Sequence, residues 1–472
     1  CPKYLDDLRC NPIDGVHDKS IAKLPPAHIL SLKRGKTNGR ARAYWEIAFG
    51  EPRKVDEVAT SEELLERLRE AVSSHLVADV PVGILLSGGL DSSAVLGAMS
   101  EVRSAPVDAF SMSFDVPNYD ESAYAIRVAE HMHATQHLSR VNAEDASRLV
   151  DRLAMTYGEP FADSSAVPTY LLCAAARDGV TVALSGDGGD EVFAGYFRYL
   201  FYDRAHLAHR WLPKSLRGPL FSLWGRNLAR QDISTRPRPS PETLKEFEQQ
   251  SADGYYHAAV YLDDASRQNL FAPSLHRNLQ GYQAREVMRR VLNEAPSDHH
   301  VSRMQYADLK MGLTDDILTK VDRASMASSL EVRVPLLDHT LVEWVSQLPP
   351  NLKLRGATQK YILKKAVASL VPREVIERRK MGFRIPITGW FRGACQDSIR
   401  RLGSNQVLDD TGFFDMGAID AMVSQHIEGK RDLAPSLWAL LMFEAFLRRV
   451  HNASGPCLGV DGADGSRTLM SA

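Results

Sequence analysis

The stretch VPVGILLSGGLDSSAVLGAM, Val80 to Met99, limits the fold more than any other part of this chain. Its first residues are apolar without alternation, which suits a short strand covered on both faces. Small residues then impose a tight turn, and Ser93 to Met99 reads as a helix. Gly88 and Gly89 permit positive φ and let a ligand approach the main chain. Backbone N–H groups and the positive end of a helix meet at such a turn, an arrangement suited to phosphate. Ser87, Ser92 and Ser93 add hydroxyl donors. Asp91 has the wrong charge for phosphate unless Mg2+ bridges the two. The plainer alternative is a Gly-rich strand–helix turn with no ligand. The pattern is neither a Walker A loop nor a GxGxxG loop.

A second stretch, VTVALSGDGGDEVFAGYFRY from Val180 to Tyr199, repeats the arrangement: an apolar strand, a Gly-rich turn, and a helix expected from about Glu191. Asp187, Asp190 and Glu191 stand at its entrance. Acidic residues in a first helical turn gain about 0.3–1 kcal/mol each from the helix dipole, which is the bland account of Asp190 and Glu191. Three neighbouring carboxylates also repel, and a bound Mg2+ would relieve that repulsion.

Between and around these turns, strand and helix patterns alternate. Val107 to Phe114, Gln136 to Val141 and Val180 to Leu184 read as further strands; Ser122 to His133 and Leu171 to Arg177 read as helices. A helix begins near Thr60, where Thr60 and Glu63 have capping-box spacing, and carries an apolar stripe of Leu64, Leu68, Val72 and Leu76. The alternation predicts an α/β fold, a doubly wound parallel sheet with helices on both faces. From about Asp190 onward the pattern becomes mostly helical, a C-terminal extension of that sheet. Residues 200–300 carry no legible chemistry, and Ala453 to Ala472 is expected to be a disordered tail.

Composition excludes several classes. The 472 residues have a formal net charge of -2, which gives no electrostatic case for nucleic acid or membrane surfaces. No apolar run is long enough to span a bilayer. The cysteines, Cys1, Cys10, Cys173, Cys395 and Cys457, show no metal or disulfide spacing. Reduced thiols in a cytoplasmic protein are the expectation.

SGGLDSS resembles the pyrophosphate loop of the ATP pyrophosphatase superfamily, whose members cleave ATP to AMP and pyrophosphate while adenylating a carboxylate or carbonyl oxygen. SGDGGDE resembles the SG(E/D)G(S/G)DE pattern of the asparagine synthetase family in particular. The resemblance implies ATP and Mg2+ as cofactors. Ser87, Gly88, Gly89, Ser92, Ser93, Ser185 and Gly186 would contact ATP, as would Leu86 and Met112, which otherwise read as core residues of their strands. Asp91 and Asp190 would share Mg2+. Asp187 would promote formation of the acyl-adenylate; the best-known members carry Glu there, one methylene longer. EPFADSSAVPTY, Glu159 to Tyr170, resembles a substrate-pocket loop in bacterial relatives.

LTKVDRASMASSLEVRVPLLDH, Leu318 to His339, resembles the family segment that follows the second turn. An amino-acid substrate needs a cation for its carboxylate and an anion for its ammonium. Arg323, Glu331 and Arg333 are the candidates, with a structural ion pair between Glu331 and Arg333 as the alternative. Lys380, in RRKMGFRIPITGW, stands where the family places its catalytic lysine, and Lys360, in QKYILKKA, is the weaker candidate. A lysine there would stabilise charge on pyrophosphate. A basic run such as Arg378 to Lys380 otherwise reads as a solvated face.

IAKLPPAHILSLKRG, Ile21 to Gly35, resembles the last strands of the family's N-terminal glutaminase. Residues 1–50 are therefore expected to be a remnant of that domain, and residues 58–450 the synthetase domain. Cys1, followed by Pro-Lys-Tyr, does not match the family's nucleophile. The expected reaction adenylates the aspartate side chain, and ammonia then attacks to give asparagine and AMP. A remnant face left uncovered favours oligomers, with a homodimer as the simplest case. Three readings compete: asparagine synthesis; amidation or cyclisation of another carboxylate, as in β-lactam synthetases, lasso-peptide cyclases and polysaccharide-associated amidotransferases; and an inactive homologue.

Overall fold

The computed structural model describes residues 23–35, 39–50, 54–211, 255–256, 260–262, 264–378, 381–382 and 385–451. A small antiparallel hairpin comes first, β1 (His28–Ser31) with β2 (Arg40–Ala43), almost wholly exposed. Helix α1 (Glu57–His75) follows. It starts a turn earlier than the sequence suggests. Asp56 is the N-cap, accepting from the N–H groups of Val58 at 2.9 Å and Ala59 at 3.2 Å. Aspartate caps at least as well as threonine, and Thr60 instead donates its hydroxyl to the Asp56 carbonyl. The stripe behaves as its spacing requires: Leu64, Leu68 and Val72 are buried.

The core is a five-stranded sheet of β3 (Val82–Leu85), β4 (Asp108–Phe114), β5 (Thr135–Val141), β6 (Val182–Leu184) and β7 (Glu331–Arg333). The order is β5-β4-β3-β6-β7, and every neighbouring pair is parallel. This is the predicted doubly wound α/β architecture. Period-2 alternation divides its strand residues between two cores. Leu85, Phe110, Met112, Phe114 and Ala183 join one; Val82, Ile84, Leu86, Ala109 and Leu184 join the other. Helices α1, α2 (Leu90–Val102) and α3 (Ser122–His131) cover the second core. Helices α4 (Ala143–Tyr157), α5 (Ala166–Arg177) and the late helix Ala434–Phe446 cover the first.

Helix α4 and strand β7 are absent from the sequence-level reading. The first has a readable signal, since Asn142 and Asp145 form a reciprocal capping box. The second is only three residues long and pairs with β6 across more than a hundred residues. The helix expected from about Glu191 is a single turn, α6 (Gly189–Val192), followed by α7 (Phe197–Trp211). One turn has little macrodipole, so the dipole account of Asp190 and Glu191 loses its force.

Candidate active site at the strand switch point

Strands are added outward from β3 through β4 to β5, and then the chain returns to place β6 on the other side of β3. Crevices form beyond the C-terminal ends of strands at such a reversal, and ligands bind there. Here the two Gly-rich turns leave the C-terminal ends of β3 and β6, the strands that flank the reversal. The turns are in direct contact. A Cβ on Gly186 would stand 2.5 Å from the Ser92 nitrogen and 2.9 Å from the Asp91 carbonyl carbon. Only glycine allows that approach. In the first turn Gly88 takes φ 69°, as expected, whereas Gly89 is extended with φ -81° and acts as the N-cap of α2.

The hydroxyls of the first turn divide into two groups. Ser87 and Ser92 brace the loop: their Oγ atoms lie 3.0 Å apart, the Gly89 N–H donates to Ser87 Oγ at 3.2 Å, and Ser92 Oγ donates to the Gly89 carbonyl at 3.3 Å. Ser93 is fully buried, and its Oγ has no hydrogen-bond partner. Leu86 and Met112 are both buried, on opposite faces of the sheet.

Two carboxylates converge on one ammonium. Lys360 Nζ lies 2.6 Å from Asp190 Oδ1 and also holds Asp91 Oδ2. Asp91 Oδ1 is buried without a hydrogen-bond partner. Among the described residues no group of three or more metal-ligating side chains exists. Mg2+ does not need one: it is commonly held by one or two carboxylates, with substrate phosphates and water completing the shell. Asp91 and Asp190, hard oxygen donors with an unsatisfied oxygen between two phosphate-suited turns, fit that requirement.

The other acids of the second turn point elsewhere. Asp187 accepts from Ser185 Oγ at 2.8 Å. Its charge acts on Lys320 and on the Cys173 thiol, which burial pushes up to about 12. Glu191 turns into the core, where Tyr196 donates to its carboxylate at 2.5 Å and burial pushes its pKa up to about 7. It is not a third acid facing the crevice.

Lys320 was missed at the sequence level although it stands three residues before Arg323. On the helix Thr319–Met326, Lys320 and Ala324 are buried one turn apart, while Arg323 is exposed. Lys320 Nζ donates to Asp163 Oδ2 at 2.8 Å and to Ser165 Oγ at 2.8 Å. Asp163 and Ser165 belong to the loop singled out as a substrate pocket. Burial alone would raise the Asp163 pKa; the Lys320 charge overrides it and holds the carboxyl near 2.

The remaining candidates separate. Arg333 donates to Glu331 Oε1 at 2.6 Å and to the carbonyls of His75 and Val77, each at 2.8 Å, so it closes the C-terminal end of α1. The Glu331–Arg333 ion pair that the spacing offered as an alternative is present. Arg323 makes no ion pair among the described residues. Lys380 lies outside the described residues. Its neighbour Arg378 donates to the Gly88 carbonyl at 3.1 Å and stacks over the Tyr124 ring at 4.1 Å. Lys360, ranked second on sequence, is the lysine seen in the site. No local signal marked it, because its partner Asp91 stands 269 residues earlier in the chain.

The arrangement can receive a polyphosphate between two turns, hold a divalent cation on paired carboxylates, and place Asp187 beside a second polar cluster. Comparison with known proteins shows the family. The family model for asparagine synthase matches residues 63–448. The chain is 27% identical over 427 residues to asparagine synthetase 1 (glutamine-hydrolyzing) of Bacillus subtilis, covering 90% of this chain and 65% of that protein. It is 31% identical over 404 residues to a putative asparagine synthetase (glutamine-hydrolyzing) of Mycobacterium bovis, covering 82% of this chain and 57% of the relative. It is 28% identical over 464 residues to amidase chyE of Penicillium rubens, covering 90% of this chain and 67% of that protein. The chain thus spans less than two thirds of the two synthetases. The match over most of its length, joined to the paired turns at the switch point, shows that the chain belongs to the asparagine synthase family.

Proposed function

We propose that this chain activates a carboxylate with ATP and delivers it to a nitrogen nucleophile, with aspartate as the acid, ammonia as the nucleophile and asparagine as the product. One observation carries the reading: two Gly-rich turns from β3 and β6 meet in backbone contact, with Asp91 and Asp190 drawn to a single point between them. In this reading the turn from Ser87 to Ser93 and the pair Ser185–Gly186 receive the phosphates of ATP. Asp91 and Asp190 hold Mg2+, which supplies neutralising charge on the phosphate oxygens. The acid attacks the α-phosphorus and pyrophosphate leaves, so that the carboxylate gains the leaving group it lacks. Ammonia then displaces AMP.

The chain's own residues divide the remaining work. Lys360 and Lys380 offset charge that develops on pyrophosphate. Asp187, hydrogen-bonded to Ser185, stands between the nucleotide turns and the Lys320–Asp163 cluster and is the group placed to act at the acyl centre. Arg323 is left as the cation for the acceptor's α-carboxylate. Glu331 and Arg333 act at one remove, since the Arg333 carbonyl accepts the Ser185 N–H at 2.9 Å and so anchors the second turn.

The similarity to amidase chyE, as extensive as that to the Bacillus synthetase, supports a second acceptor reading in which another carboxylate replaces aspartate. ATP–pyrophosphate exchange over a panel of carboxylic acids tests both. Exchange with aspartate alone supports asparagine synthesis, and exchange with another acid alone replaces it. No exchange with any acid overturns the adenylation reading. AMP release with ammonium and not with glutamine is the expected donor pattern.

A further inference from the structure

Gly88 and Gly89 flank a peptide that no side chain steadies, so its plane has little of its own to fix it. The peptide is trans, and a trans peptide points its carbonyl and its N–H in opposite directions. Turning the plane over would change what an incoming anion meets, from a donor to an acceptor. In the structure the Gly89 N–H lies on the side of the serine hydroxyls and donates to Ser87 Oγ at 3.2 Å. That neutral bond is a weak restraint, and it occupies the very donor a phosphate oxygen would use. The Gly88 carbonyl points the other way, where Arg378, 290 residues along the chain, donates to it through Nη1 at 3.1 Å.

Arg378 is itself firmly anchored. Its Nη2 pairs with Glu121, the N-cap of α3, and its guanidinium lies over the Tyr124 ring at 4.1 Å. The arginine side chain is 9% exposed and that of Glu121 15%. A bond from so shielded a cation to a carbonyl is of the strong, charge-assisted kind. The turn rests on the same helix, since a Cβ on Gly88 would stand 2.4 Å from the Ala125 nitrogen. A planar fork can serve carbonyl, carboxylate and ring together, whereas a lysine ammonium has neither the fork nor the flat face.

We propose that Arg378 is a positioning residue for the first turn: by holding the Gly88 carbonyl outward, it keeps the Gly88–Gly89 peptide with its N–H toward the crevice. The inference rests on the reading that this turn receives the phosphates of a nucleotide. Arg378 needs no contact with the ligand and acts through the carbonyl. Without it the glycine pair turns over at little cost, and a carbonyl oxygen faces the phosphate. The loss should therefore fall on polyphosphate affinity.

The test measures pyrophosphate binding to the full chain by isothermal titration calorimetry with Mg2+ present, and KM for ATP and for the acid in ATP–pyrophosphate exchange. Arg378→Met should weaken pyrophosphate binding about tenfold or more and raise KM for ATP by a similar factor, with KM for the acid changed less than about threefold. A general loosening of the fold would not separate the two KM values in this way, and equal rises in both overturn the proposal. Arg378→Lys should lose nearly as much as Arg378→Met, because it keeps the charge and not the fork. Wild-type affinity in Arg378→Lys overturns the proposal, since charge alone would then suffice. Arg127→Gln breaks a second tie between α3 and the helix Arg373–Glu377, the Arg127–Glu374 pair at 3.3 Å. It should leave pyrophosphate affinity within about twofold of wild type. A loss there as large as in Arg378→Met overturns the proposal, since packing of the two segments would explain both. Should Arg378→Met fail to fold, Arg378→Lys and Arg127→Gln decide by the same outcomes. Wild type that binds no pyrophosphate and supports no exchange sinks the nucleotide reading itself. Wild-type binding that Arg378→Met leaves unchanged sinks only the role of Arg378.

Discussion

Two buried lysines lie near acids of the second turn, and their surroundings differ in kind. Lys320 faces Asp163 and Ser165, at 2.8 Å each, and Asp163 also receives the Ser165 N–H at 2.9 Å and its hydroxyl at 2.7 Å. Hydrogen bonds there link Lys320, Asp163 and Ser165 to one another, and the charges of Asp316 and Asp187 also act on the lysine. Lys360 bridges the carboxylates of Asp91 and Asp190, and Asp91 Oδ1 is buried without a hydrogen-bond partner. A closed polar network holds a fold in a unique arrangement. An open one pays an electrostatic cost that only a ligand removes. The first cluster therefore reads as scaffold for the acceptor loop, the second as a place waiting for a cation.

The comparison can be broken most directly at the open cluster. Asp91→Asn and Asp190→Asn should each lower ATP–pyrophosphate exchange by about 10³-fold or more while the protein stays folded. Near wild-type exchange in both would remove the cluster from catalysis. At the closed cluster the largest effect should be on stability. Lys320→Met leaves Asp163 buried and uncompensated, and should cost about 3–5 kcal/mol in denaturant unfolding. A smaller loss would mean that water or another cation reaches Asp163.

Acid should separate the two clusters further. Asp163 is held near 2, below the ordinary carboxylate value of 3.8. A depressed folded-state pKa contributes stability that is present above the unfolded value and lost as pH falls through the folded one. Wild type should therefore lose stability steeply between about pH 4 and pH 2. In Lys320→Met the Asp163 carboxyl no longer has a depressed pKa, and the loss over that window should shrink. Equal acid sensitivity would show that the pair does not set it. Smallest of all, Ser165→Ala and Ser185→Ala should each cost about 1 kcal/mol, one hydrogen bond apiece. Only Ser185→Ala should also reduce exchange, because its hydroxyl orients Asp187.

Much of this was legible in the sequence. The strand–turn–helix units at Val80 and Val180 had every local signal pointing one way: unalternating apolar runs, glycines, then helical spacing. Local agreement of that kind makes prediction work. What stayed hidden depended on distant partners. β7 is three residues whose pairing with β6 no local pattern announces. Arg333 read as a substrate ligand because a charged residue beside a motif invites that reading; its actual partners are the carbonyls at the end of α1, more than two hundred and fifty residues away. Lys320 went unnoticed beside Arg323 until the helix showed which of them faces inward. Lys360 looked weaker than Lys380 because neighbouring residues carried the comparison, whereas Asp91 and Asp190 bring it into the site from far along the chain.

The contact between Gly186 and the backbone of Asp91 and Ser92 has a mechanical consequence. With a Cβ excluded there by 2.5 Å, no slack remains between the two turns. Were a phosphate to bind the first turn as proposed, any shift it imposed would be handed directly to the second, and Asp187 is the next residue along. On the proposed reading, arrival of the nucleotide and readiness of the acceptor side would then be a single movement, with no separate relay between them.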